Sequence, residues 1–331
     1  MQQAANGCGL RNGRNDGMVA QRKLPSRERL SYRLRQYWPA YILLLPVLAW
    51  YIIFCYAPMG GLVIAFKKYS VLAGIGASPW IGLKNFEKLF TSQAFYQAIK
   101  NTLILSGLNF VFGFPLPISF AILLNEMPGV KYKKVVQTVS YLPHFISWVV
   151  CATLMFDLMS TDGGAINEFL MWIGFTKEPI GFFTEGKYFW GITLFTDIWK
   201  ELGWNAIIFI SAITSISQDM YEAADVDGAT RMQKILHITL PALKPTIMIL
   251  LILAIGGVLN TGYEQQLLMS NDAILNYSDV LDTYAYRYGL KNGMYSYGTA
   301  VGFFKSAVSF ILVISANALS KKFSDDNTAL F

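Results

Sequence analysis

Asp197, Lys200, Glu201 and Asn205 stand together in an otherwise apolar stretch of the chain. Charged groups in such a setting are costly, so they face a cavity or a partner. On a helix, Asp197 and Glu201 share a face one turn apart, and Lys200 is within reach of Asp197. Two roles fit this pattern. One is an internal ion-pair cluster that locks helices or a subunit interface; the other is the lining of a path for a polar or anionic solute. A second polar cluster, Asn260, Tyr263, Glu264, Gln265 and Gln266, ends a later apolar run. Amides donate and accept as sugar hydroxyls do, and aromatic rings stack on sugar faces. An interfacial position at a helix end is the plainer account of the same residues.

Other chemistry is missing from the sequence. It contains no G-x-x-x-x-G-K-[ST] phosphate loop, no H-E-x-x-H, no G-x-S-x-G and no paired-cysteine motif, so no catalytic constellation or nucleotide site is expected. His144 and His237 are its two histidines and form no metal cluster. His144, beside Pro143, reads as a packed or kink-satisfying residue. Cys8, Cys55 and Cys151 are scattered and suggest no disulfide framework. The chain is therefore read as not an enzyme in itself.

The elements that must position these residues follow from composition. Of 331 residues, 54% are hydrophobic and only 15% charged, against about 25% charged in ordinary soluble domains; the mean hydropathy is +0.39. An all-α membrane protein is expected, with six spans near 40–65, 98–125, 135–159, 189–216, 245–268 and 298–319, each needing about 20 residues. Pro46, Pro58, Pro115 and Pro117 fall within the first two, where neighbouring helices must satisfy the freed carbonyls.

The first 38 residues carry Arg11, Arg14, Arg22, Lys23, Arg27, Arg29, Arg33 and Arg35 against Asp16 and Glu28. They make a poor signal peptide and read as a basic tail holding the N-terminus inside; Met18 is an alternative start. The membrane-spanning body is placed at 39–320 and a second inside tail at 321–331. Segments 126–134, 217–244 and 320–331 then lie inside, with Lys131, Lys133, Lys134, Arg231, Lys234, Lys244, Lys321 and Lys322, as the positive-inside rule requires. Lys67, Lys68, Lys84 and Lys88 depart from it, in a loop placed outside. Tyr284, Tyr286, Arg287 and Tyr288 are also placed outside, for docking or interfacial anchoring.

The stretch 219–245 reads DMYEAADVDGATRMQKILHITLPALKP. Asp219 followed by Glu222 suggests a capping-box start, and Gly228 ends that helix because glycine takes positive φ cheaply. A second helix is expected over about Ala229 to Leu240, making an amphipathic elbow between two spans. Glu222-Ala223-Ala224, three residues, Gly228, nine residues, then Ile238-x-Leu240-Pro241 resembles the EAA signature of bacterial ABC-importer permeases, without gap or substitution. The likeness runs from about residue 35 to 320. VVQTVSYLPHFISWVV (135–150), DIWKELGWN (197–205), LKPTIMILLILAIGGVLNTGYEQ (243–265), DTYAYRYGL (282–290) and GLKNFEKLF (82–90) look like the polysaccharide and lipo-oligosaccharide branch of carbohydrate permeases.

That resemblance implies a type I importer transmembrane domain in a bacterial inner membrane, both termini cytoplasmic. It implies that Glu222, Ala223, Ala224, Asp225, Asp227, Gly228, Ile238, Leu240 and Pro241 serve coupling to an ATPase. Two cytoplasmic ATPase subunits holding ATP and Mg, a second related permease and an extracytoplasmic solute-binding protein are the implied partners, with membrane lipid and no nucleic acid. This chain itself needs no cofactor. A secondary transporter acting without an ATPase is the alternative; Asp197, Lys200 and Glu201 would be its ion-coupling site, but it has no use for the Glu222 to Pro241 signature. Amino-acid and peptide permeases share related coupling loops, so the carbohydrate assignment rests on the wider likeness.

Overall fold

The structure, a computed structural model, describes residues 35–323. The expected basic tail up to residue 34 and the expected inside tail from 324 onward lie outside the described residues. Two units are distinguished, one ending at Gly60 and one beginning at Gly61. Among the described residues the only β pairing is an isolated bridge between Lys67 and Trp80. The helices used below are α1 Trp38–Phe66, α2 Lys84–Thr91, α3 Gln93–Glu126, α4 Val130–Phe145, α5 Trp148–Leu158, α6 Ala165–Trp172, α7 Phe189–Thr214, α8 Gln218–Val226, α9 Arg231–Gly256, α10 Tyr263–Met269, α11 Leu281–Ala285 and α12 Tyr295–Phe323.

Four of these, α1, α3, α9 and α12, are long and apolar enough to cross a membrane; α4 and α5 make a fifth if the bent pair counts as one span. The remaining expected span, 189–216, is α7, whose 26 residues reach about 39 Å at 1.5 Å per residue. It has the length, but Asp197, Lys200 and Glu201 interrupt its apolar character. Two other expectations are corrected. The segment 135–159 is not one straight helix, because α4 and α5 meet at 99°. The fifth span starts earlier and stops at Gly256, so residues 257–262 form a break before α10.

Proline shapes the long helices in a regular way. Ala57, Phe114 and Leu240 each precede a proline, and each donates its N–H five residues back, to the carbonyls of Ile52, Asn109 and Ile235. These are π turns. A proline ring collides with the carbonyl four residues before it; the widened turn makes room for the ring, and the helix runs on. At Pro58, Pro115 and Pro241 the device is thus local to the helix, whereas Pro46 and Pro245 lie inside regular α-helix without it.

Helix α7 is the centre of the packing. Ala206, Phe209 and Ile213 pack with Ala121 of α3 and Leu243 of α9, while Phe189 and Ile192 pack with Ala152, Met155 and Met269. Gly203 allows backbone contact with α4: a Cβ there would lie 2.2 Å from the Ser140 carbonyl oxygen. A third cluster joins Leu89, Phe95, Leu281, Tyr284, Tyr297 and Val301. Tyr284 is fully buried, with its hydroxyl 3.1 Å from Ser92 and 2.7 Å from Tyr297. It therefore serves neither docking nor anchoring. Arg287 pairs with Asp279, and Lys305 with Asp282.

The bend between α4 and α5 is held by the charges of α7. Ile146 and Ser147 are extended, and the Ser147 hydroxyl caps α5 by accepting from the Val150 N–H at 3.3 Å. Lys200 Nζ donates to the His144 carbonyl at 2.6 Å, lies 3.4 Å from Glu201 and sits over the Trp148 ring at 5.3 Å. His144 Nδ1 is 2.7 Å from Glu201 Oε2, and its ring stacks on Trp204 at 4.2 Å. The expected Lys200–Asp197 pair is corrected: Lys200 turns to Glu201 and to the bend.

Lys200 is 4% exposed, so removing its carboxylate partner leaves a buried ammonium. Glu201→Ala is expected to destabilise by about 3 kcal/mol, the low end for a broken buried pair because Glu201 keeps partial access to solvent. Lys200→Met with Glu201→Leu removes both charges but also the donor to the His144 carbonyl, so it should recover only part of that loss. Thermal unfolding of the purified chain in detergent checks both; a double variant that recovers the whole loss contradicts the latch.

Candidate functional site

The candidate residues fall into two places joined by one helix. The first is an elbow at 217–239. Its opening cap is Ser217, whose hydroxyl accepts from the Asp219 N–H at 3.3 Å. The expected Asp219–Glu222 box is therefore corrected: Ser217 already occupies the extended conformation a cap needs, and Asp219 lies in the first turn. A true capping box does occur one helix later, where Thr230 N–H donates to Gln233 Oε1 at 2.7 Å and Gln233 N–H returns to Thr230 Oγ1 at 3.4 Å. Between them Gly228 has φ +75° with open space where a Cβ would be, so backbone conformation alone calls for glycine there.

Two side-chain links brace the elbow. Lys234 Nζ donates to Asp225 Oδ1 at 2.7 Å, and the Tyr221 hydroxyl meets Thr239 Oγ1 at 2.9 Å. Glu222, Ala223, Asp227 and Gly228 are exposed and Ala224 is half-buried. Asp225, one of the expected partner-facing carboxylates, thus makes its bond within the chain. Ile238 lies in the π turn and is half-buried, while Leu240 and Pro241 are exposed. The second helix does not end at Leu240: the π turn carries it past Pro241, and α9 is one helix of 26 residues.

At its other end α9 forms a wall of the second place, a cavity of about 470 Å³. Of the candidates, Asp197, Asn205, Asn260 and Gln265 line it; Lys200, Glu201, Tyr263 and Glu264 do not. Lys200 and Glu201 belong to the latch. Tyr263 packs edge-on against Tyr286 at 5.7 Å, and Glu264 is exposed. Asp197 Oδ2 accepts from Asn109 Nδ2 at 2.6 Å. Asn109 folds back over Gly113, where a Cβ would fall 2.3 Å from its Oδ1.

The break after α9 supplies the rest of the lining. Gly262, at φ +74°, turns the chain into α10, and Gln265 Nε2 donates to the Thr193 carbonyl at 2.8 Å. The Ser106 hydroxyl donates to the Val258 carbonyl. Thr261 Oγ1 and Gln266 Oε1 are buried without a hydrogen-bond partner among the described residues, and both residues face the cavity. Asn109 and Thr261 are not evident from sequence. Each is a lone neutral polar residue, and only the cost of an amide or hydroxyl in an apolar run could have flagged it. Among the described residues no group of His, Cys, Asp and Glu is arranged to hold a metal ion.

Comparison with known proteins agrees with this arrangement. The chain is 45% identical over 304 residues to the polygalacturonan/rhamnogalacturonan transport system permease YteP of Bacillus subtilis, covering 92% of this chain and 94% of that one. It is 43% identical to LplB of the same organism, covering 86% and 89%. A crystal structure of a bacterial ABC transporter involved in the import of the acidic polysaccharide alginate superposes with a TM-score of 0.82 at 42% identity, over 90% of this chain and 100% of that one. A bacterial alginate ABC transporter in complex with an alginate pentasaccharide-bound periplasmic protein superposes with an equal TM-score. Residues 113–325 match the family described as the inner membrane component of binding-protein-dependent transport systems, and the chain, an ABC-importer permease, belongs to that family.

Proposed function

We propose that this permease passes an oligosaccharide or polysaccharide fragment across the membrane, and that elbow 217–239 couples the passage to an ATPase. The observation that carries this reading is the continuity of α9. One end of this 26-residue helix is the braced elbow; the other, at Leu250 and Ala254, is a wall of the polar cavity. A helix of that length is a rod of about 39 Å, so a push on the elbow reaches the cavity without an intervening hinge. Alternating access of this kind is a rigid-element transition driven from outside the chain. A secondary transporter has no use for such a rod, and that reading is set aside.

In this proposal Glu222, Ala223, Ala224, Asp227 and Gly228 face a cytoplasmic ATPase subunit, while Asp225 braces the elbow. Ile238, Leu240 and Pro241 shape the base on which it turns. Two ATPase subunits bind ATP and Mg; this chain binds neither and is not an enzyme. A second permease forms the other half of the path, and a solute-binding protein delivers the sugar from the opposite face. Both termini then lie in the cytoplasm. The cavity suits a carbohydrate because Asn205, Asn260 and Gln265 offer amides that match sugar hydroxyls. The polygalacturonan/rhamnogalacturonan permease and the alginate importer point the same way.

Two outcomes test the proposal. Purified with its partners and reconstituted in liposomes, the chain is expected to show ATP hydrolysis stimulated by sugar-loaded binding protein; ATP-free solute movement by the chain alone contradicts it. In the elbow, Gly228→Val forces a β-branched residue to positive φ, at about 1–3 kcal/mol. Uptake should fall roughly tenfold or more, since about 1.4 kcal/mol is a factor of ten, while membrane insertion persists. Normal uptake by that variant sinks the coupling assignment.

A further inference from the structure

Four lysines, Lys67, Lys68, Lys84 and Lys88, stand against one carboxylate, Glu87, in the segment 67–91 that joins α1 to α3. They are the residues that depart from the positive-inside rule. Lys67 has a structural task, since its Nζ donates to the Ile75 carbonyl at 2.7 Å. Lys88 lies over the Tyr297 ring at 5.3 Å. Lys68 and Lys84 are exposed, and among the described residues neither ammonium has a hydrogen-bond or ion-pair partner.

Residues 67–83 form a loop tied by its own backbone. Lys68 N–H donates to the Pro79 carbonyl at 2.9 Å, and Ile81 N–H to that of Phe66 at 2.9 Å. Ser78 is buried within the loop; its hydroxyl donates to the Gly74 carbonyl at 2.6 Å and accepts from Ser70 N–H at 3.1 Å. A loop so tied holds its large apolar side chains outward. Leu72 is fully exposed, and Val71, Ile75, Trp80 and Leu83 are exposed as well. Apolar groups displayed by a braced segment mark a surface that something covers.

The packing at its base sets the level of the loop. Phe66 and Phe86 meet Phe303 of α12 edge-on at 5.6 and 5.8 Å, and Phe90 meets Phe304 at 5.7 Å. Lys321 lies near the opposite end of α12. Counted back from Lys321, the about 20 residues that cross the hydrocarbon reach Val301, beside those two phenylalanines. The base of the loop therefore lies at the far boundary of the hydrocarbon and not above it. Lysines beside large apolar side chains at that level suit an interfacial segment, in which ammonium groups reach lipid phosphates and apolar groups enter the acyl boundary.

We propose that loop 67–83, with Lys84, is an anchor for anionic phospholipid. Leu72, Trp80 and Leu83 enter the outer leaflet, while Lys68 and Lys84 bind its headgroup phosphates. The outward placement rests on the orientation proposed above. A phosphate partner offsets the disadvantage that outward lysines carry under the positive-inside rule.

A fluorophore at the tip of the loop tests this. Leu72→Cys is labelled with bimane in a complete importer whose other reactive cysteines are replaced, and the importer is placed in lipid nanodiscs. Phospholipid carrying a nitroxide high on its acyl chain is the quencher, supplied at one mole fraction as phosphatidylglycerol or as phosphatidylcholine. Both should quench, phosphatidylglycerol about threefold more strongly at low salt. Lys68→Gln with Lys84→Gln should bring that ratio to about one, and high salt should lower it. No quenching by either lipid, or equal quenching by both, overturns the proposal. A tip that loaded binding protein shields from both lipids has a protein partner instead, and overturns it too. Orientation is read separately, from Glu87→Cys and a membrane-impermeant maleimide in right-side-out vesicles. Labelling of the sealed vesicles is expected; labelling only after they are opened overturns the outward placement, a failure distinct from loss of lipid contact.

Discussion

Inside a bilayer there is no water to satisfy a free peptide group, so every backbone N–H and C=O must find its partner within the protein. Several departures from regular helix among the described residues answer to that constraint. Pro58, Pro115 and Pro241 follow π turns, in which the preceding N–H reaches five residues back. At the bend of α4 and α5, Lys200 supplies a donor to the His144 carbonyl. At the break after α9, Ser106 and Gln266 donate to the carbonyls of Val258 and Thr261. Irregular backbone is tolerated at membrane depth where it is buried in protein or lines a cavity, and here it does one or the other.

The same constraint bears on how the elbow joins the helix that reaches the cavity. A proline at position 241 would ordinarily end or kink the helix and leave the elbow loosely attached. The π turn at Ile235–Thr239 removes that weakness, and the bond from Tyr221 to Thr239 ties α8 to the turn itself. The Asp225–Lys234 pair adds a second strut on the outer side. Exposed ion pairs contribute little to stability, about 0–1 kcal/mol, so the role of this one is to fix an angle. Both struts tie α8 to α9.

Much of this is legible in the sequence because it depends on local chemistry. The apolar runs, the glycine at 228 and the costly charges of α7 all follow from residue type and spacing. The position of the breaks is not legible. Pro143 marks a weak point within 135–159, but it does not separate a kinked span from two helices at 99°, because the bend depends on Lys200, more than fifty residues away. The fifth span illustrates the same limit: Gly256 and Gly257 look like ordinary small residues of an apolar helix, and Gly262 takes its meaning from the turn into α10. Sequence places the capping box one helix too early, since Ser217 and Thr230 both precede plausible first turns and tertiary placement decides between them. Asn109 stays hidden because a single neutral amide carries little signal until its partner is known.

The charges of α7 show how one helix serves structure and path at once. Asp197 and Glu201 are four residues apart and so diverge by only about 40° around the axis. Their surroundings differ far more than that angle suggests. Glu201 lies level with the bend and meets His144, whose ring is fixed by Trp204. Asp197, one turn away, lies level with the π turn of α3 and meets Asn109, which Gly113 leaves room for. The two structural reasons share a source, since both the bend and the π turn are helix irregularities set beside prolines 143 and 115. A sequence pattern that looks like one ion-pair cluster therefore divides between a latch and a wall. Because Asp197 and Glu201 share one unbroken helix, the latch fixes the height and direction at which the carboxylate of Asp197 meets the cavity.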